Sequence, residues 1–238
     1  MKETPTMPDT LPNFVRDLAT RLGGQTHAGP RVSLQQKGRI KRAIGKDAWM
    51  AFTARQTIDN DASNFAWHAR IAPLGAVSVC DALDDGVGRL DVTALGFIPL
   101  VRTVSTPALV RGELMRYLAE LAWAPDAILR NPALRWRETA AGEIVVGAGT
   151  DTSPVEVSFG LDRNGRIETA FASDRPRSAV EPILPTPWRG RFWDYRRHED
   201  RWIPFAGEVA WVIDGRKEIY WQGTIERWAC GMGEVARA

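Results

Sequence analysis

The chain of 238 residues has only two cysteines, Cys80 and Cys230, and three histidines, His27, His68 and His198. The cysteines lie far apart and form no CxxC pair, so neither a disulfide framework nor a zinc site is indicated, and they read as ordinary buried thiols. No histidine has a partner three or four residues away, the spacing with which a helix holds a metal, so no metal is expected. Charge of one sign is also scarce: 31 basic against 29 acidic side chains leave +2. No overall field gathers nucleic acid or anionic membrane, and any such binding has to be local. No apolar run approaches the roughly 18 residues that cross a bilayer. The opening MKETPTMPDTLPNF lacks the apolar run of a signal peptide, which points to the cytoplasm. Catalytic signatures are missing too. There is no GxSxG elbow. Gly86-Val87-Gly88 and the segment Gly231 to Ala236 do not open a helix within a βαβ unit, so no dinucleotide cofactor is indicated. Asp59-Asn60-Asp61 starts like a calcium loop but puts Asn64 and Arg70 where glycine and glutamate belong, and reads as a polar turn.

What the chain does have is apolar material: 44% hydrophobic residues, ten of them tryptophan. That suffices for a sizeable core, and tryptophan supplies large, rigid apolar area for cores, cavities and interfaces. With no linker evident, one β-rich domain is expected over residues 11–228, with 1–10 and 229–238 as flexible ends. Phe14, Val15, Leu18 and Leu22 recur at helical spacing, and Gly23-Gly24 ends that helix. From Arg31 to Ile98 five strand-like runs follow: RVSLQQKGRI, WMAFTARQTI, NFAWHARIA, AVSVCDAL and GRLDVTALGFI. In the third, Phe65, Trp67, Ala69 and Ile71 share one face while Ala66, His68 and Arg70 share the other. The spacing leaves no room for parallel crossovers, so these strands form an antiparallel meander. Pro107 to Leu121 changes period to a helix, and a shorter turn of helix follows over Ala127 to Leu129. ALRWRET, EIVVGA, PVEVSFGLD and GRIETAFASD resume the strands, with a hairpin turn at Asp162 to Gly165. After a proline-rich loop from Pro176 to Pro187 come RGRFWDYRRH, RWIPFAGEVAWVI and EIYWQGTIERW, the last two joined at Asp214-Gly215. The fold class is mainly β: a large curved antiparallel sheet or incomplete barrel on one central helix, with a short N-terminal helix and room for a cavity between helix and sheet.

Within the central helix Glu113, Arg116 and Glu120 share a face. Two readings stay open: a solvated ion-pair ladder, or the same ladder lining a cavity, where a carboxylate beside Arg116 stays ionised. Asp81, projecting from a strand, is a further candidate, whereas Asp84-Asp85-Gly86 is a turn. The run from Trp188 to Trp202 interleaves Arg189, Arg191, Arg196, Arg197 and Arg201 with Phe192, Trp193 and Tyr195. This mixture is used for nucleic acid, but with so little net charge it reads as cross-strand stacking of arginine on aromatic rings.

The blocks RGELMRYLAELAWAPDAIL, TPWRGRFWDY and IPFAGEVAW, with Trp67 and Arg70 in FAWHAR, Asp81 and Gly88-Arg89-Leu90, resemble a bacterial domain family of unknown function from Leu11 to Ile225. Ser63-Asn64 and Asp200-Arg201-Trp202 depart from its pattern, both in predicted turns. The resemblance carries over no catalytic residue. More loosely, many antiparallel strands on a helix, with a late Ile-Pro strand, resemble the lipoprotein-carrier fold, an incomplete barrel that holds acyl chains. The leading expectation is therefore a non-enzymatic binding protein for a lipid-like or other hydrophobic molecule. Its cavity would be lined from Trp67, Trp123, Trp136, Trp188, Trp193, Trp211 and Trp221, with Arg70, Arg116 and Arg189 contacting a polar headgroup. The alternatives are an enzyme using Glu113, Glu120 or Asp81 with Tyr117 or Tyr195 as acid and base, and a protein-interaction module. Ligand identity and oligomeric state are not legible.

Overall fold

Alternation of buried and exposed residues along successive runs produces an antiparallel sheet of thirteen strands in the computed structural model, which describes residues 11–41, 43–71, 75–96, 98–151, 153–178 and 182–231. The first six strands are β1 (Arg31–Lys41), β2 (Trp49–Asp59), β3 (Phe65–Ile71), β4 (Val77–Asp84), β5 (Val87–Ala94) and β6 (Ile98–Arg102). Helix α2 (Pro107–Ala119), a 3-10 turn over Glu120–Ala122 and the short α3 (Ala127–Arg130) separate them from the rest. These are β7 (Arg135–Glu138), β8 (Ile144–Thr150), β9 (Ser153–Leu161), β10 (Ile167–Pro176), β11 (Pro185–His198), β12 (Arg201–Ile213) and β13 (Arg216–Gly231). The order β6-β5-β4-β3-β2-β1-β13-β12-β11-β10-β9-β8-β7 is two meanders joined where β1 pairs with β13. The sheet is open, with β6 and β7 as its edges.

The connection from β6 to β7 has to travel from one edge to the other, and α2 makes that crossing on one face, packing on β8, β9 and β10 as well as β4 and β5. Its start is set by Thr106, whose side chain accepts from the Leu109 amide at 3.1 Å, with Pro107 in the first turn. Met115, Tyr117, Leu118 and Leu121 are fully buried at the centre of the main core. Helix α1 (Asn13–Leu22) packs on β12 and α3. It stops at Gly23, whose φ of 75° and close approach to Asp200 leave no room for a side chain: a Cβ there would lie 2.2 Å from the Asp200 carbonyl oxygen.

The sequence reading runs β5 and β6 together. Leu95 and Gly96 take positive φ (52° and 80°) and make a turn between them. The supposed proline loop is shorter than expected, because Pro176 and Pro185 end β10 and begin β11 and face each other across the ladder. At Asp162 to Gly165 only the glycine is left-handed, and the Asp162 carboxylate accepts from the Asn164 and Arg166 amides. Strand β13 continues to Gly231, past the Trp228 at which the sequence pattern ends. Residues 1–10 and 232–238, expected as flexible ends, lie outside the described residues.

Candidate functional site

Register builds the site. Gln56 on β2 faces Trp67 on β3, and Trp67 faces Asp81 on β4, so three strands place these side chains in one row on the face that receives α2. The helix contributes Glu113 and Arg116 from successive turns, and Glu120 follows at the start of the 3-10 turn. Strands β10 to β13 close the opposite side with Arg175, Trp188, Phe192, Tyr220 and Trp221, and Trp123 reaches in beyond the 3-10 turn. Between these elements lies a cavity of about 120 Å³. One wall is aromatic, built from Trp67, Trp123, Trp188, Phe192, Tyr220 and Trp221; the other carries Gln56, Asp81, Arg116, Glu120, Arg175 and Glu208.

The polar wall is a directed network. The Trp67 indole donates to Gln36 Oε1 at 2.8 Å, Gln36 donates to Gln56 Oε1 at 3.0 Å, and Gln56 donates to Glu120. Arg116 Nε donates to Glu120 Oε1 at 2.9 Å, and its Nη1 donates to Asp81 Oδ2. The same guanidinium lies over Phe65 (4.7 Å) and Trp67 (5.4 Å). Burial alone would lower the Arg116 pKa, but the carboxylates of Glu120, Asp81 and Glu113 outweigh it and hold the cation firmly charged. Arg175 lies 4.7 Å from the Trp188 ring and 4.0 Å from Glu113 Oε1.

Three atoms of this network lack a protein partner: Asp81 Oδ1, Glu113 Oε2 and Arg175 Nε. Burial, then the neighbouring Asp81 charge, push Glu113 well above the ordinary carboxylate range, against the pull of Arg175 and Arg116. Burial and the Asp81 charge thus both disfavour the charged form of Glu113. Burial also raises Glu120, opposed by Arg116 and Gln56. Fixed anions and cations thus face one small aromatic space, an arrangement able to orient a polar group.

Of the predicted residues, Trp67, Asp81, Arg116, Glu120, Trp123, Trp188 and Trp221 line the cavity, and Glu113 stands behind them. Trp211 stacks on Tyr220 at 5.9 Å, forming a second layer of the wall. Strand alternation places three of the remaining predictions elsewhere. Arg70, Arg189 and Trp193 each lie an odd number of residues from a cavity-facing neighbour and project from the opposite face. Arg189 lies 5.7 Å from the Phe171 ring, while Trp193 is 37% exposed beside Arg191. Trp136 packs at 6.4 Å from Phe159. Neither predicted tyrosine reaches the cavity: Tyr117 donates to the Asp59 carbonyl and accepts from Asn131, both at 3.0 Å, and Tyr195 donates to the Ile167 carbonyl at 2.6 Å. Burial raises both phenols, which serve as structural donors. The tyrosine at the site is Tyr220, which accepts from the Trp188 indole at 2.9 Å. Tyr220, Arg175, Gln36 and Gln56 are absent from the sequence reading; Gln36 and Gln56, polar at inward positions of otherwise apolar strand faces, carried the one signal that could have marked them. The arginines of the late strands do stack on aromatic rings, with Arg196 at 4.7 Å from Phe205 and Arg201 at 5.6 Å from Trp228.

An open antiparallel sheet folded about one helix, with an aromatic-walled cavity between them, defines a half-barrel. The chain belongs to a family of unknown function, DUF6544, whose description matches residues 2–223. This agrees with the resemblance carried by the three sequence blocks. Among solved structures, a DUF1329 family protein from Desulfovibrio piger is 9% identical, with a TM-score of 0.53 over 92% of this chain and 93% of that one. At that identity the likeness extends to the fold alone. A LolA superfamily protein from Nitrosomonas europaea is 10% identical, with a TM-score of 0.45 over 90% and 92% of the two chains. A search of curated proteins finds no match.

Proposed function

We propose that the protein binds a lipid-like or other hydrophobic small molecule in the cavity between α2 and the sheet, holding its polar end against Asp81, Arg116 and Arg175. The observation that carries this reading is the mixed lining: Asp81, Arg116, Glu120 and Arg175 share a cavity with four tryptophans, and within two of these residues Asp81 Oδ1 and Arg175 Nε are buried without a protein partner, which is costly. The volume of about 120 Å³ is below the roughly 300–1,000 Å³ of drug-sized sites, so the cavity seats a headgroup or a small ligand and not a whole acyl chain. Extension has a path. Ile40, Trp67 and Trp221 line the cavity and also belong to, or pack on, a separate apolar cluster of Phe52, Ala54, Ala69 and Ile71, flanked by half-buried Met50, Val77 and Val79. An apolar tail continues along that surface.

Organic extraction of gently purified protein followed by mass spectrometry, with an unrelated protein prepared identically as blank, tests the reading. A stoichiometric hydrophobic species is expected, and adding it back to the stripped protein should change the fluorescence of Trp67, Trp123, Trp188 and Trp221. Asp81→Asn and Arg175→Gln should each weaken its binding about tenfold, the loss of one charge-assisted hydrogen bond. No enriched species from several expression hosts would count against a resident ligand. Turnover of a screened substrate that Glu113→Gln abolishes, with folding and binding intact, would make the protein an enzyme whose proton donor is Glu113.

A further inference from the structure

The face of the sheet that turns away from α2 has its own composition. Register aligns Arg227, Gln35, Arg55, His68, Cys80, Asp91 and Arg102 in one row across β13, β1, β2, β3, β4, β5 and β6. At about 4.8 Å per strand the row is roughly 29 Å long. With the neighbouring row of Thr53, Arg70, Ser78 and Thr93 it floors a trough of about 1100 Å³. The trough holds five arginines against two carboxylates, and both carboxylates are already engaged: Asp91 with Arg89 at 2.6 Å, and Glu226 with Lys37 at 2.7 Å. Among the described residues, the guanidinium groups of Arg55, Arg70, Arg102 and Arg227 make no ion pair, and all four residues are exposed.

One rim of the same trough is apolar. Pro99 and Val101 of β6 line it, and every residue of that edge strand is exposed. Leu95 (63%), Ile98 (41%), Leu100 (57%), Val101 (45%) and Val104 (80%) form an uncovered aliphatic strip along the edge. A bare apolar edge strand is a liability that soluble proteins blunt with charge, as the opposite edge does with Arg135, Arg137 and Glu138 on β7. We propose that this face docks the protein on an anionic lipid bilayer, with Leu95 and strand β6 entering the interface and Arg55, Arg70, Arg102 and Arg227 resting on headgroup phosphates. Charge complementarity selects an anionic partner, and the aliphatic strip selects a bilayer among such partners. The described lining has no Phe, Tyr or Trp on which nucleic-acid bases would stack. None of these four arginines lines the cavity, so this inference and the ligand reading stand or fall separately.

Co-sedimentation of the full chain with vesicles of phosphatidylcholine alone, or of phosphatidylcholine mixed with phosphatidylglycerol, tests it. Binding is expected only to the anionic vesicles and should weaken as salt shortens the screening length. Arg55→Gln with Arg102→Gln should lower the partition coefficient about 25-fold, roughly fivefold per arginine. Leu100→Ser should weaken binding with charge and melting temperature unchanged. Equal binding to both vesicles, binding to neither, or a double variant that partitions like the parent would overturn the proposal. So would arginine-dependent capture of inorganic pyrophosphate without vesicle binding, which would assign the trough to a soluble anion.

Discussion

Two clusters of buried charge flank the core and are built on opposite terms. Asp126, fully buried at the start of α3, faces Arg201, 5% exposed at the start of β12, with Arg201 Nε 3.0 Å from both carboxylate oxygens. Both carboxylate oxygens of Asp126 have partners. Asp126 also accepts from the Gln25 amide at 2.7 Å and the Cys230 thiol at 3.3 Å, while Arg201 donates to the Glu199 carbonyl and to Gln25. Burial and the Asp126 charge push the Cys230 thiol up to about 11, which keeps it a donor. The second cluster, Asp81, Glu113, Arg116, Glu120 and Arg175, leaves three buried atoms unpartnered beside a cavity. A closed network fixes geometry, here docking α1, α3 and β12 around one carboxylate; an open one keeps donors and acceptors available. The contrast separates a structural staple from a site with the same residue types in both.

Breaking the closed cluster has the largest expected effect. Asp126→Ala strands Arg201 in a dry interior and should cost about 3–5 kcal/mol, read as a lower urea midpoint at unchanged slope. Arg116→Met in the open cluster should cost less, about 1–3 kcal/mol at neutral pH, because the cavity gives the released carboxylates access to water. Its cost should also depend on pH. Without Arg116, Asp81, Glu113 and Glu120 face one another, so the folded state holds protons that the unfolded state releases. Stability then falls as pH rises and recovers as it drops. A cost independent of pH would mean that Arg116 acts chiefly by packing on Phe65 and Trp67.

The same contrast shows which parts of the molecule could be read in advance. Strand alternation in NFAWHARIA, the helix entry at Pro107 and the Asp214-Gly215 turn are local signals, and the elements follow them closely. The spacing of Glu113, Arg116 and Glu120 established a shared face, but only the crossing of α2 over the sheet turns that face inward. Asp126, Arg201 and Cys230 come together from widely separated segments, as do Gln36, Gln56 and Glu120. Their pairing is a product of register and docking that no window of sequence contains. Arg70 and Arg189 are the instructive errors: period two already set Arg70 opposite Trp67, and Arg189, next to Trp188, had to point away from it. The turn at Leu95-Gly96 escaped because a leucine at positive φ carries no propensity signal.

The smallest effect is expected at Glu113, and it is the sharpest test of the open cluster. Its carboxyl sits well above the ordinary 4.5 through burial and the Asp81 charge. The folded state therefore keeps a proton that the unfolded chain gives up. That contribution to stability is complete below the unfolded value and is lost as pH rises toward the folded one. Glu113→Gln keeps a donor for Asp81 and removes the titration. The variant should match the parent in acid, melt at the same temperature or slightly higher at pH 8, and show a flatter dependence between. If Glu113 instead serves as an anion toward Arg175, 4.0 Å away, the variant loses stability at pH 8, and the cluster behind the cavity then holds one more fixed negative charge.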